Sequence, residues 1–150
     1  MIIAEAALED LPALLALQKI CYQQEAEIYQ DFDIPPLTQT IESIIYDFNC
    51  YFFLKAVDDK KIIGSVRGSL EEGTCKIGRL IVHPDLQNRG VGSRLMNAIE
   101  KAFPEAKRFE LFTGYKSQKN LFLYKKLGYI EYHREIMNSA VELVFLEKKR

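Results

Sequence analysis

Two closely spaced glycines, Gly90 and Gly92, follow an apolar segment and open a helical one. The first N–H groups of a helix have no partner inside it, and the helix dipole there favours anions. Because glycine has no Cβ, a ligand can approach the backbone closely at both positions. The sequence therefore predicts a phosphate-binding turn, with Arg89 and Arg94 adding positive charge nearby. The two glycines alone are equally typical of a flexible turn with an N-terminal helix cap.

Two other phosphate-binding motifs do not fit this chain. A dinucleotide fingerprint requires a third glycine where Leu95 stands. Gly73 and Gly78 have the spacing of a P-loop, but Arg79 and Leu80 occupy the positions of its Lys and Ser or Thr. We therefore expect neither a dinucleotide-binding fold nor a nucleotide triphosphatase.

The overall charge is balanced, since 20 Lys and Arg residues against 21 Asp and Glu residues give a formal net charge of −1. A chain this neutral has no general attraction for nucleic acid or anionic lipid, so we expect neither as a partner. Hydrophobic residues make up 48% and charged residues 27%, which is typical of a globular protein. The length of 150 residues predicts one domain covering residues 1–150.

The cysteines and histidines indicate neither disulfides nor a metal. Cys21, Cys50 and Cys75 are evenly spread without a C-x-x-C pair, as in reduced cytoplasmic proteins. His83 and His133 belong to no metal-binding pattern, so no metal site is predicted. The start of the chain lacks a basic leader segment, and we expect a cytoplasmic location.

The elements that position the glycine turn follow from hydrophobic periodicity and turn residues. Helices precede three consecutive strands joined by tight turns, and a strand–helix–hairpin unit follows the turn. The fold class predicted is α/β, a mixed α+β arrangement with a mostly antiparallel central sheet of six to seven strands flanked by about four helices. Strands are predicted at 2–5, 51–57, 61–70, 74–82, 109–113, 129–137 and 141–146, a loop at 31–37, and helices at 9–29, from Thr38 or Thr40 to about 48, at 90–103, and at 117–126 with Ser117 as cap.

The glycine turn also lies within a longer motif. Gln87-x-x-Gly90-x-Gly92 resembles the acyl-CoA pyrophosphate motif, Q/R-x-x-G-x-G/A, of the GNAT superfamily of N-acetyltransferases. The lead-in Leu-Ile-Val-His-Pro and the trailing Arg-Leu-Met are similar to that family too. This resemblance implies the GNAT fold and acetyl-CoA as the co-substrate.

A second match lies downstream, at the place that the family leads us to expect. Asn120-x-x-x-Tyr124-x-x-x-Gly128-Tyr129 is similar to the family segment N-x-x-x-Y-x-x-x-G-F/Y. The two motifs occur in order, each on a predicted strand–helix boundary. The resemblance extends over essentially the whole chain, including the strand order.

The resemblance implies a role for each matching residue. The backbone amides from Asn88 to Ser93 would hold the pyrophosphate, and a bulge would splay the central strands apart to admit the pantetheine arm. Asn120 would bond near that arm or hold the splayed strands, and Tyr124 would lie near the sulfur. Cofactor binding is thus implied for Ile81, Val82, Gln87, Asn88, Arg89, Gly90, Val91, Gly92, Ser93, Asn120 and Tyr124.

Acetyl transfer to an amine requires the amine in its neutral form, so a base or a water relay must take its proton. Tyr124 is the candidate general acid, because a tyrosine hydroxyl is protonated at neutral pH. Many family members use a strand glutamate as base, but residues 75–79 contain no acid. Glu71 and Glu72 are candidates from the preceding turn, and His83 or a water chain are alternatives.

The sequence does not choose one acceptor. The resemblance implies a primary amine of a small molecule or peptide, attacking directly in a ternary complex. We expect its pocket to form from the 29–40 segment, the second helix and the final hairpin. The alternative is a non-catalytic acyl-CoA-binding sensor on the same fold, which the missing strand glutamate leaves open. A homodimer is compatible with the family.

Overall fold

Seven strands form one mixed sheet in the computed structural model, which describes residues 1–150. The strand order is β1-β2-β3-β4-β5-β7-β6, and every neighbouring pair is antiparallel except β4 and β5. This confirms the predicted mostly antiparallel sheet. The strands are β1 Ile2–Glu5, β2 Phe52–Asp58, β3 Lys61–Glu71, β4 Thr74–Val82, β5 Arg108–Gly114, β6 Ile130–Ile136 and β7 Glu142–Lys149.

Five helices accompany the sheet, one more than the sequence predicts. The extra helix is a single turn that begins inside the segment 31–37, which was predicted to be a loop. That prediction is wrong for residues 35–37. The first residue of this helix is Pro35, whose fixed φ suits the first position of a helix. The helices are α1 Leu11–Tyr29, α2 Pro35–Thr38, α3 Ile41–Cys50, α4 Val91–Ala102 and α5 Gln118–Lys126.

Of Thr38 and Thr40, the two residues at which the second long helix was predicted to begin, only Thr40 is its cap. Thr40 precedes α3, and its hydroxyl accepts a hydrogen bond from the backbone N–H of Ser43 at 3.1 Å. Ser117 is the N-cap residue of α5, as predicted, but its hydroxyl makes no bond to the helix. It donates instead to a carboxylate oxygen of Glu25 at 2.6 Å, so it joins α5 to α1.

The two faces of the sheet are covered by different helices. Leu54 belongs to the main hydrophobic cluster, which includes the α4 side chains Leu95 and Ile99. Its neighbour Phe53 points to the opposite face and packs in a smaller cluster with Leu14 of α1. Each fully buried leucine such as Leu95 stabilises the fold by about 1.5–3 kcal/mol. The glycine turn is thus fixed to the sheet by α4.

No helix in the fold combines the length and the apolar character that crossing a bilayer requires.

Candidate active site

The two central strands pair for only a short distance before they separate. Thr74–Lys76 of β4 pair with Arg108–Glu110 of β5, and no pairing between these strands follows. Opposite β3, Arg67 pairs with Gly78 but Ser65 pairs with Ile81, so β4 carries one extra residue there. This arrangement confirms the bulge and the splayed strands that the resemblance implies.

Arg79 lies in this bulge with left-handed backbone geometry. Its φ is +50°, a value that only a few per cent of non-glycine residues adopt. The bulge bends β4 away from β5, so the edge of β4 that faces β5 has no strand partner from Ile77 onward. A cleft of about 1020 Å³ opens at the end of the strand, bounded by α1, α4 and α5.

Most of the predicted cofactor-binding residues meet around this cleft. Two of them do not line the cleft. The Arg89 side chain is exposed, and Tyr124 is buried. The lining includes Ile81, Val82, Gln87, Asn88, Gly90, Val91, Gly92, Ser93 and Asn120.

The opening turn of α4 presents a run of free backbone donors to the cleft. The N–H of Arg94 makes the first bond of the helix, to the Gly90 carbonyl at 3.1 Å. None of the N–H groups from Gln87 to Ser93 has a hydrogen-bond partner in the chain, and no side chain caps α4. Gly90 has φ +81° and nothing within 4 Å of where its Cβ would stand. The turn therefore offers an unfilled cradle for an anion.

Positive charge borders the cleft on the α5 side. The side chains of Lys116, Lys119 and Lys126 are among its lining residues. The Lys119 ammonium lies 3.5 Å from the amide oxygen of Gln87, so it stands beside the opening turn of α4. These lysines favour an anionic ligand at the same end of the cleft as the free amides.

The end of β4 carries a carbonyl that two side chains share. The Val82 oxygen accepts from the Cys21 thiol and from the Gln87 amide, each at 3.3 Å. Burial raises the pKa of Cys21 to about 12. The thiol is therefore neutral at physiological pH and acts as a hydrogen-bond donor.

Tyr124 is buried next in sequence to Leu123, which lines the cleft, and its hydroxyl bonds to no group of the chain. Its ring packs against that of Tyr129 at a centroid distance of 6.1 Å. Burial raises the pKa of Tyr124, and the nearby Tyr22 and Glu25 raise it further. Since Tyr22 and Glu25 both line the cleft, the Tyr124 hydroxyl is a protonated donor close to the cleft floor.

Asn120 connects the cleft wall to the diverging strand. Its side-chain amide donates to the hydroxyl of Thr113 at 3.2 Å, which joins α5 to β5. Of the two roles that the resemblance implies, this contact matches the one that holds the splayed strands.

Glu25 is a cleft residue that the sequence analysis missed. It accepts the Ser117 hydroxyl, and that hydroxyl also bonds to the Tyr29 hydroxyl at 2.8 Å. Tyr22, Glu25 and Tyr29 share one helix face at spacings of three and four residues. That spacing could have indicated a common face that includes Glu25. The other acidic and polar residues near Glu25 in α1 made it indistinguishable from a solvent-exposed residue.

The two glutamates predicted as candidates for the general base, Glu71 and Glu72, lie away from the cleft. Glu71 ends β3 and pairs with Lys76 at 2.9 Å, while Glu72 is in the exposed turn that follows. Both precede β4, and the nine residues of that strand span roughly 26 Å. Because the cleft is at the other end of β4, the structure does not bring these glutamates together with the other predicted residues.

Comparisons with known proteins agree with this geometry. A model of the Acetyltransferase (GNAT) family matches residues 11–129. No curated protein matches the chain in sequence.

Several solved structures share the fold. The protein smu.2055 of Streptococcus mutans UA159 has a TM-score of 0.83 at 19% identity, covering 99% of both chains. The ribosomal-protein-S18-alanine N-acetyltransferase of Escherichia coli has a TM-score of 0.81 at 13% identity, covering 99% of this chain and 92% of its own. The PaiA N-acetyltransferase of Thermoplasma acidophilum, in complex with coenzyme A, has a TM-score of 0.73 at 18% identity, covering all of both chains. At these identities the likeness shows the fold alone.

Proposed function

Because this chain belongs to the GNAT acetyltransferase family, we propose that it transfers an acetyl group from acetyl-CoA to a primary amine of a small molecule or peptide. One observation carries the proposal: the unpartnered backbone amides from Gln87 to Ser93 border a cleft at the end of β4, where that strand has separated from β5. One structural neighbour is named for acetylating an alanine of a ribosomal protein, which is an acceptor of the peptide type. The three free cysteines favour the cytoplasm as its location.

The residues present fit two parts of the cofactor, its diphosphate and its pantetheine arm. The free amides and the open space at Gly90 suit a diphosphate, and the bordering lysines add charge. The unpaired edge of β4 near Ile81 and Val82 suits the amide-containing arm, which would bond to the strand as a neighbouring strand does. The bound cofactor supplies an acetyl thioester, which an amine can attack.

Two side chains near the cleft are proposed to carry out the two proton transfers of the reaction, one as a base and one as an acid. Glu25 is the proposed base, because its carboxylate lines the cleft beside Tyr22 and Tyr124. It takes the proton that the acceptor ammonium must lose, and the neutral amine that results attacks the thioester carbon to form the C–N bond. Tyr124 is the proposed acid, and its hydroxyl gives a proton to the sulfur as the C–S bond breaks. Glu25 thus replaces the strand carboxylate that β4 lacks.

The test measures thiol release from acetyl-CoA over a panel of primary amines. We expect turnover with at least one amine class and about 100-fold less in Glu25→Gln, since glutamine retains the Ser117 contact but is not a base. The loss should shrink at alkaline pH, where more of the amine is already neutral. Glu9→Gln, which changes an exposed carboxylate outside the cleft, is the matched control. CoA binding without thiol release from any amine would contradict the proposal.

A further inference from the structure

A second, polar pocket opens beside the β4 bulge. It has a volume of about 430 Å³, and none of its lining residues is hydrophobic. Arg67 of β3 and Arg79 of the bulge contribute its two cations, while Asp47 of α3 is its one acid. The hydroxyls of Thr38 and Ser43 complete a set of groups suited to a charged ligand. The pocket therefore has an excess of positive charge.

Arg67 is held firmly in place. Its guanidinium bonds to Asp47 at 2.7 Å and lies over the Tyr51 ring, 4.3 Å from the centroid. Its Nε donor is nevertheless buried without a hydrogen-bond partner.

Arg79 is the cation without a counter-ion. One of its terminal nitrogens donates to the amide oxygen of Gln39 at 3.1 Å, and no carboxylate lies within 4 Å. Burial lowers the pKa of Arg79, and the like charge of Arg67 lowers it further. An anion placed between the two guanidinium groups would relieve this repulsion.

The polar pocket lies close to the cleft. Arg79 directly precedes Leu80, which lines the cleft. Tyr22, another cleft residue, is within electrostatic reach of both Arg67 and Arg79. A molecule whose amine reaches the cleft can therefore extend a second group into the polar pocket.

We propose that the polar pocket binds a carboxylate of the acceptor, so that the substrate class is an amine that also carries a carboxylate. The inference rests on the proposed function and adds the chemistry of the acceptor. A guanidinium is a planar donor that matches a carboxylate with two parallel hydrogen bonds. Arg79 is the principal contact, and Arg67, fixed by Asp47, supplies the second charge.

The experiment compares ω-amino acids, from glycine to 6-aminohexanoate, with alkylamines of the same length. Thiol release from saturating acetyl-CoA gives kcat/KM for each matched pair. We expect at least one amino acid to exceed its alkylamine by tenfold or more. Arg79→Gln should remove that preference, and Arg79→Lys should retain part of it. Both variants keep a non-glycine residue at the positive φ, so they share the backbone cost. Lys76→Gln, at an exposed cation, is the control and should retain the preference.

A binding measurement separates this inference from the proposed function. With the cleft saturated by CoA, glutarate should raise the melting temperature of the wild type but not of Arg79→Gln, and neutral glutaramide should raise neither. Equal kcat/KM within every pair, or an unchanged preference in Arg79→Gln, would overturn the carboxylate assignment while leaving the acetyltransferase intact. Absence of glutarate protection while CoA still protects the fold would also overturn it. Failure of CoA itself to protect the fold would refute the proposed function instead.

Discussion

The Cys21 thiol and the Val82 carbonyl form a hydrogen bond of 3.3 Å between residues 61 positions apart in the sequence. It joins the middle of α1 to the last residue of β4, at the place where β4 has lost its partner β5. Helix α1 is thereby fixed against the end of β4 that has separated from β5. This contact places Tyr22 and Glu25, one and four residues further along the same helix, at the cleft.

Alkylation of native protein at pH 8 should modify Cys50 alone. The thiolate is the reactive form, and burial raises the pKa of both Cys21 and Cys75 to about 12. Cys50 is exposed. Mass spectrometry should find one label on the folded protein, none on Cys50→Ser, and three on the unfolded wild type. Rapid labelling of Cys21 in the folded protein would contradict its neutral, hydrogen-bonded state.

Gly90→Glu should weaken CoA binding by at least about 100-fold, because the carboxylate would occupy the anion cradle and repel phosphate. Gly73→Glu is a matched control, since Gly73 has the same φ of +81° and the same open space at its Cβ position. Both variants carry about 1–2 kcal/mol of backbone strain, so the stability change cancels in the comparison. Calorimetric titration with CoA checks the prediction, and equal affinity in the two variants would reject the cradle.

Tyr124→Phe should lower kcat about 100-fold and leave the affinity for CoA nearly unchanged. Because burial raises the pKa of Tyr124, its hydroxyl stays protonated, and we expect no alkaline loss of rate from this group below pH ~10. Tyr129→Phe is the control, since Tyr129 is the ring neighbour whose hydroxyl donates to Glu100. An unaltered kcat in Tyr124→Phe would remove it from the acid role.

Asp10→Asn should cost about 1–2 kcal/mol of stability at pH 7, and the loss should shrink in acid. Burial alone would raise the pKa of Asp10, but bonds of 2.7 Å from Lys55 and from the Ala7 N–H lower it overall. The unfolded chain therefore takes up this proton first, and the stabilisation is lost as pH falls through the folded pKa.

Urea unfolding at pH 7 and pH 3 measures the gap between wild type and Asp10→Asn. Asp33→Asn, an exposed loop change, should show no such gap at either pH. A gap that widened toward pH 3 would contradict the sign of the shift.

The sequence predicted elements whose determinants are local. The bounds of β4 are those expected, because tight turns and alternating apolar residues such as Cys75 and Ile77 define it. The left-handed bulge was not predictable from its own residues, since Arg79 holds a positive φ where glycine is the usual choice. The surrounding sheet imposes that conformation. The helix at Pro35 was missed because a single turn leaves no periodicity.

The candidate site shows the same contrast between features that depend on local sequence and features that depend on tertiary packing. The proposed anion cradle is one continuous segment, so the glycine spacing and the family resemblance together indicated residues 87–93. Glu25 comes to the cleft from another part of the chain through the packing of α1, and Glu71 was assigned to the base role from sequence proximity alone. The Arg67–Arg79 pocket also depends on tertiary packing, because α2 and α3 bring Asp47 and Thr38 to the arginines.

The short pairing of β4 with β5 also bears on how the molecule resists force. The N-terminal strand β1 belongs to one half of the sheet and the C-terminal strand β7 to the other, so tension between the two ends of the chain crosses that junction. Only the contacts between Thr74–Lys76 and Arg108–Glu110 resist there as a ladder, which makes it the mechanical weak point of the sheet. A ligand bound where β4 and β5 have separated would bridge the two halves of the sheet and raise the force needed to pull them apart.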